Sequence, residues 1–504
     1  MIMQENRSFD SMFGTYPGVD GIPRDANGTA TRCSPDPWSK QCVRPYHDSN
    51  DVNRGGPHQH QNAVNDIDAG KMDGFIGEAE KSIAGQFQVP GSPALPVPQC
   101  PVAGAPTCAA QTTDVMGYHD RREVPVYWDL ADSYVLQDHM FESVPSWSLP
   151  AHLAMVSGWS ASCADPTKPM SCTTNLDFGD GDGTAKLPGN GGLGVAIGDQ
   201  LPSDGDDSDP PATPPDFGWT DLTYLMHQNH VSWAYYVKPG LQPDCPDGGM
   251  TCPPAQQDQI TPEIWNPLPD FQTVHADHEL GNIQDVASFY KAATAGTLPA
   301  VSWVVPSQNV SDHPPAALSD GQQYVKGLLD AVMHGPDWSS TAVFLSWDDW
   351  GGFYDHVDPP VVGGAAYGFR VPGLVISPYA RRHYVDHQPL SFDAYLRFIE
   401  DDFLGGRRLD PRTDGRPDAR PRVVETAAGM GDLARDFDFT QRVALHSAAG
   451  EVAQRGLPNT AAVGGAAGLA ALIAVAGADR VARRRRRGTA RSTTAPPGRA
   501  ARFR

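Results

Sequence analysis

Met1-Ile-Met-Gln-Glu-Asn-Arg-Ser-Phe-Asp10 is the stretch on which the reading turns, because a short apolar run passes directly into an acid and an amide, Glu5 and Asn6. The pattern predicts a buried strand ending at two oxygen-bearing side chains. Carboxylate and carboxamide oxygens suit a hard divalent cation. On residue types alone such a pair sits in a turn or cap more often than on a metal, so it needs partners elsewhere in the chain.

A second acidic pair supplies them. Thr341-Ala-Val-Phe-Leu-Ser-Trp347 reads as another buried strand, and it runs into Asp348-Asp349-Trp350-Gly351-Gly352-Phe353-Tyr354-Asp355-His356-Val357. Two adjacent carboxylates at a strand end repel unless a cation holds them. Three further runs read as strands: Ser133-Tyr134-Val135-Leu136, Ala300 to Val305, and Val371 to Ile376. Several strands that end in polar residues are the layout of a parallel sheet with its ligands at the strand C-termini. Between residues 305 and 341 the positions Val325, Leu328, Leu329, Val332 and Met333 predict a helix with one buried face. Strand, helix, strand implies a right-handed parallel crossover.

A third motif, Glu142-Ser-Val-Pro-Ser-Trp-Ser-Leu-Pro-Ala-His-Leu153, offers Ser146 and Ser148 in a proline-punctuated turn. A lone turn serine is usually structural. The three stretches, in this order, resemble the phospholipase C/acid phosphatase group of phosphoesterases in the alkaline-phosphatase superfamily. Phe13-Gly14-Thr15, Ala69 to Phe75, Met116-Gly117-Tyr118, Arg370-Val371-Pro372, Arg397 to Glu400 and Asp436-Phe-Asp-Phe439 fit as well, so the resemblance spans about residues 1–440.

The resemblance implies an α/β fold, an alkaline-phosphatase-like α/β/α sandwich with a mostly parallel sheet and loop-rich, disulfide-bearing insertions at about 16–115 and 160–265. It makes Glu5, Asn6, Asp348 and Asp349 the ligands of a divalent ion (Ca, Mg, Mn or Zn) and Ser148, rather than Ser146, the nucleophile. His58 and His313 become the phosphoryl contacts or leaving-group acid, with His60 competing for the place of His58. His356, Lys71 and Asp73 are expected to support the site from behind. The family usually has Asp-Glu-His-Gly-Gly-Phe where this chain has Asp348-Asp349-Trp350-Gly351-Gly352-Phe353, which keeps an oxygen ligand but removes a phosphate contact.

The implied chemistry is hydrolysis of a phosphate ester. Phospholipase C-like action on a phospholipid comes first and acid phosphatase action on a small monoester second. A surface binding protein that has lost turnover is a third reading, and retention of Glu5, Asn6, Ser148, Asp348 and Asp349 together argues against it. Sulfatase chemistry is disfavoured because the nucleophile motif lacks Cys/Ser-x-Pro-x-Arg. Trp147, Trp159 and Trp350 lie in or beside these motifs and fit either a cage for a quaternary ammonium group or, more simply, the core.

Composition places the chain outside the cytoplasm. The eight cysteines fall in four close couples, Cys33/Cys42, Cys100/Cys108, Cys163/Cys172 and Cys245/Cys252, spaced for local disulfides and not for a zinc ribbon. Residues 460–478 carry no charge and precede five arginines, Arg483 to Arg487, after a linker at 441–459. About 20 apolar residues cross a bilayer and arginine-rich flanks stay inside, so this reads as a C-terminal anchor with a basic, disordered tail at 479–504. The short apolar run before Glu5 points to a longer precursor with a signal peptide and the rest of the first strand. Ten of the 38 basic residues lie from Arg480 onward, which leaves the body to residue 478 with 28 basic against 59 acidic residues. Such a surface repels nucleic acid. No internal repeat is apparent, and the Asp-rich pieces at 177–183 and 204–209 read as solvated loops.

Overall fold

The computed structural model describes residues 1–86, 112–177, 215–242 and 255–440. Its centre is an eight-stranded sheet: β1 Ile2–Gln4, β2 Val135–Gln137, β3 Trp233–Val237, β4 Ile283–Asp285, β5 Val301–Val305, β6 Val343–Trp347, β7 Gly373–Ile376 and β8 Tyr384–Asp386. Across the sheet the order is β4-β3-β5-β1-β6-β7-β2-β8. Neighbours run parallel except at β7, which is antiparallel to both β6 and β2. The sheet is therefore mostly parallel, as the strand-end pattern predicts.

β1 lies between β5 and β6, where Ile2 is opposite both Val304 and Leu345 and Gln4 is opposite Trp347. Strands covered on both faces read as continuous apolar runs, and Val304, Val305, Phe344 and Leu345 are all buried. Side chains alternate across a strand, so Phe344 and Trp347 leave β6 on opposite faces. Trp347 meets Tyr127 of the helix Pro125–Ser133 edge-on at 4.9 Å, whereas Phe344 meets Tyr395 and Phe398 of the helix Phe392–Phe403 at 5.1 Å. Helices thus cover both faces, and the architecture is an α/β/α sandwich. In chain order the helices used below are α1 Phe9–Phe13, α2 His60–Ile67, α3 Phe75–Gln86, α4 Pro125–Ser133, α5 Ser148–Ser157, α6 Leu318–Met333 and α7 Phe392–Phe403. α6 is the expected crossover helix: Val325, Leu328, Leu329 and Val332 are buried, and it packs beside α4.

Several sequence expectations shift. β2 begins at Val135 because Ser133 still belongs to α4, a helix opened by Pro125 at its first turn. β3, Trp-Ala-Tyr-Tyr-Val, comes from inside the stretch read as an insertion at 160–265, and its aromatic and β-branched content is the signal that was passed over. The stretch at 16–115 is more than loop. α2 and α3 build a second core in which Ala63, Met72, Phe75, Ile76 and Ala79 pack with Val115, Met116, Trp350, Tyr354 and Phe369. Disulfides join Cys33 to Cys42 and Cys163 to Cys172. The Cys100/Cys108 and Cys245/Cys252 couples, residues 178–183 and 204–209, and everything from 441 onward, including the expected anchor and tail, lie outside the described residues. Among the described residues no helix is long and apolar enough to cross a membrane.

The interior holds acids that are neutral at mild pH. Burial, then the Asp386 charge, pushes Asp436 up to about 8, with Gln137 Nε2 donating to its Oδ2 at 2.7 Å. Burial likewise pushes Glu263 up to about 8 and Glu425 to about 7. Each folded-state value lies above the unfolded one, so the folded chain holds protons that the unfolded chain has lost. That stability is complete below about pH 4 and disappears as pH rises through 8. Thermal unfolding followed from pH 4 to 8 is expected to show a falling midpoint, and Asp436→Asn should flatten that slope.

Candidate functional site

Three adjacent parallel strands, β5, β1 and β6, deliver three motif loops to one sheet edge. Glu5 follows β1 and its N–H donates to Ser311 O in the loop after β5 at 2.9 Å. Asp348 follows β6, and its N–H donates to Gln4 O at 3.0 Å. The Gln4–Trp347 register therefore sets Glu5-Asn6 beside Asp348-Asp349. All four side chains are fully buried.

Asn6 is the pivot. Its φ of 58° is a left-handed conformation that asparagine tolerates better than most residues. The backbone N–H donates to Asp348 Oδ1 at 2.9 Å, and Nδ2 donates to Asp349 Oδ1 and Oδ2 at 3.1 and 3.2 Å. Because Asp349 only accepts, the atom facing it must be the amide nitrogen, which turns Asn6 Oδ1 the other way. Gly351 and Gly352 close the turn with φ of 60° and 73°. A Cβ on Gly351 would lie 2.4 Å from Asn6 O, and one on Gly352 would lie 2.4 Å from Gly56 Cα. Gly351 N–H also donates to Asp349 Oδ1 at 2.7 Å.

From across the sheet edge comes α5, which packs on α7 and ends at Gly158 in the left-handed region. Ser148 is its first residue, and its Oγ donates to Asp349 Oδ2 at 3.1 Å. One turn later His152, which the sequence reading passed over, sets its Nε2 3.2 Å from Glu5 Oε1 and 3.8 Å from Asp348 Oδ2. The Ser-x-x-x-His spacing was its signal, since residues four apart share a helix face. Ser146 instead donates to Leu176 O and is turned away from Asp349.

The expected histidines flank this group. His58 Nδ1 donates to Gly56 O at 2.9 Å, which leaves Nε2 to accept from Asn6 Nδ2 at 3.1 Å. Its ring lies 6.1 Å from that of His313. His313 has Nδ1 2.5 Å from Pro314 O and its ring 5.9 Å from Trp265. His60 Nδ1 contacts Pro145 O at 2.8 Å. Glu142 is a further buried carboxyl: burial, then the charges of Asp349 and Asp348, holds it well above the usual carboxylate range.

Other expected residues go elsewhere. His356 Nδ1 lies 2.7 Å from Asp10 Oδ2; burial lowers its pKa, but the Asp10 charge and hydrogen bond and the Asp355 charge together raise it. Arg370 completes that cluster through Asp355 and Asp10. Lys71 is an exposed side chain paired with Asp68, whose charge, after burial, raises Asp73. Trp350 stacks on Phe369 at 4.8 Å and donates from Nε1 to Asp66. Trp159 packs on Trp219 at 5.8 Å and Trp147 donates to Asp177 O, so the three tryptophans serve separate clusters.

A divalent ion fits this donor set. Among the described residues Asn6 Oδ1 and Asp348 Oδ2 are buried with no hydrogen-bond partner, a costly state for two electron-rich oxygens without a cation. Donor atoms of Glu5, His152 and Asp348 also lie within 4.8 Å of one another. Asp348→Asn, which keeps the shape and removes the charge, is expected to abolish retention of stoichiometric divalent metal as read by elemental analysis. Gly352→Ala must drive a methyl into the Gly56 backbone and should cost about 2–4 kcal/mol in denaturant unfolding.

The sequence is similar to "Non-hemolytic phospholipase C" of Burkholderia pseudomallei, 25% identical over 496 residues that cover 87% of this chain and 58% of that protein. "Phospholipase C A" of Mycobacterium tuberculosis is 24% identical over 416 residues, 76% of this chain and 68% of that protein. The chain thus spans about three fifths to two thirds of the length of these relatives. A solved protein of the alkaline phosphatase superfamily from Vibrio parahaemolyticus is similar with a TM-score of 0.31 and 10% identity, covering 61% of this chain and 66% of that one, which is too low to bear on function. Residues 1–404, which hold Glu5, Asn6, Ser148, Asp348 and Asp349, match the Phosphoesterase family, and the chain belongs to it.

Proposed function

We propose that the protein is a metal-dependent phosphate-ester hydrolase, a phospholipase C-like phosphodiesterase acting through a phosphoserine at Ser148. The observation that carries this is the hydrogen bond from Ser148 Oγ to Asp349 Oδ2 at 3.1 Å, made at the first turn of a ten-residue helix. The relatives' names support phospholipid as the substrate.

Asp349 orients the Ser148 hydroxyl and accepts its proton as Oγ attacks phosphorus in line. An Oγ–P bond forms, the bond from phosphorus to the leaving alkoxide breaks, and His313 supplies a proton to that oxygen. Water then attacks phosphorus and gives a proton to His313 as the Oγ–P bond breaks, and Asp349 returns its proton to the Ser148 oxygen. Ser148 stands at the N-terminus of α5, where the helix dipole favours the charge of a phosphoryl group. His58, accepting from Asn6, holds the carboxamide oxygen toward the centre. Glu5, Asn6, Asp348 and Asp349 would hold the divalent ion, which when bound acidifies the serine hydroxyl and offsets phosphoryl charge.

The two disulfides and the acidic body support an extracytoplasmic location, with residues 460–478 as a membrane anchor.

The test is hydrolysis of nitrophenyl phosphorylcholine beside nitrophenyl phosphate. Diester turnover is expected, with at least a roughly 10³-fold loss in Ser148→Ala and loss on chelation that added metal restores. Acid-quenched wild type should carry a phosphoryl adduct on the peptide that holds Ser148. Monoester turnover alone would make the protein a phosphatase, and undiminished turnover in Ser148→Ala would remove the assigned nucleophile.

A further inference from the structure

The four expected metal ligands all offer oxygen, and the fold adds a nitrogen. His152 leaves α5 on the same face as Ser148 and is fully buried, as are Glu5 and Asp348. Its Nε2 lies 3.2 Å from Glu5 Oε1 and 3.8 Å from Asp348 Oδ2. The second ring nitrogen decides what Nε2 carries. Tyr235 donates its hydroxyl to Trp265 O at 2.7 Å, and its oxygen lies 3.5 Å from His152 Nδ1. With its only proton committed to Trp265, the Tyr235 oxygen can offer Nδ1 nothing but a lone pair, so Nδ1 carries the imidazole proton.

Nε2 then turns its own lone pair toward two buried carboxylates. Electron-rich atoms meet at such distances around a cation. A doubly protonated ring would supply one positive charge against the three carboxylates Glu5, Asp348 and Asp349 and would leave Asn6 Oδ1 without a partner.

We propose that His152 Nε2 is a ligand of the divalent ion and that Tyr235 is the positioning residue that fixes its tautomer. The centre is then a mixed nitrogen–oxygen site, which favours a transition ion such as Mn²⁺, Fe²⁺ or Zn²⁺ over Mg²⁺ or Ca²⁺. The assignment rests on the metal-dependent reading above.

The experiment strips the full chain with a chelator, reloads it with Mn²⁺, and reads imidazole nitrogen coupling to the ion by pulsed electron paramagnetic resonance. Coupling is expected in the wild type, in His58→Gln and in His313→Gln, and is expected to vanish in His152→Gln. Calorimetry should show Mn²⁺ binding about tenfold or more weaker in His152→Gln, with a smaller change for Mg²⁺. Mn²⁺ bound to the wild type without nitrogen coupling overturns the His152 assignment and leaves the phosphoesterase reading standing. Coupling that survives in His152→Gln, or disappears in His58→Gln or His313→Gln, overturns it equally. Failure of the wild type to bind Mn²⁺, Zn²⁺ or Mg²⁺ overturns both. The wild-type spectrum and the two control variants decide the matter even if His152→Gln does not fold.

Discussion

Everything at the site depends on the register of a three-residue strand. Gln4 is paired with Trp347 in a parallel ladder, and the Asp348 N–H donates to Gln4 O as the ladder runs out. The next atoms along each chain then exchange one more bond, from Asn6 N–H to the Asp348 carboxylate, 342 residues away. A slip of one residue would reverse every side chain of β1 and send Glu5 to the other face. The cost of bringing carboxylates together is thus met by the sheet, whose hydrophobic faces fix β1 between β5 and β6.

Behind the Glu5-Asn6 and Asp348-Asp349 pairs lies a layer of buried charge. Arg7 is fully buried, donates to Asp312 O through Nε and Nη2 and to Asn53 Oδ1 through Nη1, and lies 4.5 Å over Phe353; burial lowers its pKa to about 10. Arg370 joins Asp10 behind β1 to Asp355 behind β6, donates to Asp20 O and Asp138 O, and lies over Phe9 at 4.7 Å. A buried guanidinium is tolerable only when its donors are satisfied, and here they are spent on holding separate loops in one arrangement. His356 belongs to this cluster through Asp10.

Chemistry was legible where it is local. Glu5-Asn6, Asp348-Asp349 and Ser148 are contiguous pieces of motif, and the structure brings them together as the strand-end argument anticipates. β4 and β8 were not legible as sheet members, because strands of three residues with no motif beside them carry little periodic signal. The reversal of β7 lies in connections and not in composition. His152 was hidden because α5 is buried on every side and reads as core. Sequence adjacency to a motif says nothing of direction: Lys71 is exposed, Asp73 is half-buried, and Met72 between them is buried.

The contact between the Gly351–Gly352 turn, Asn6 and Gly56 is made mainly by backbone, and Asp349 is pinned by the Gly351 N–H. The placement of that carboxylate is thereby uncoupled from the identity of residue 350. An indole can stand at residue 350, packed into the second core against Phe369, while the carboxylate beside it does not move. Divergence at residue 350 is thus free to change the packing beside Asp349 without moving the carboxylate.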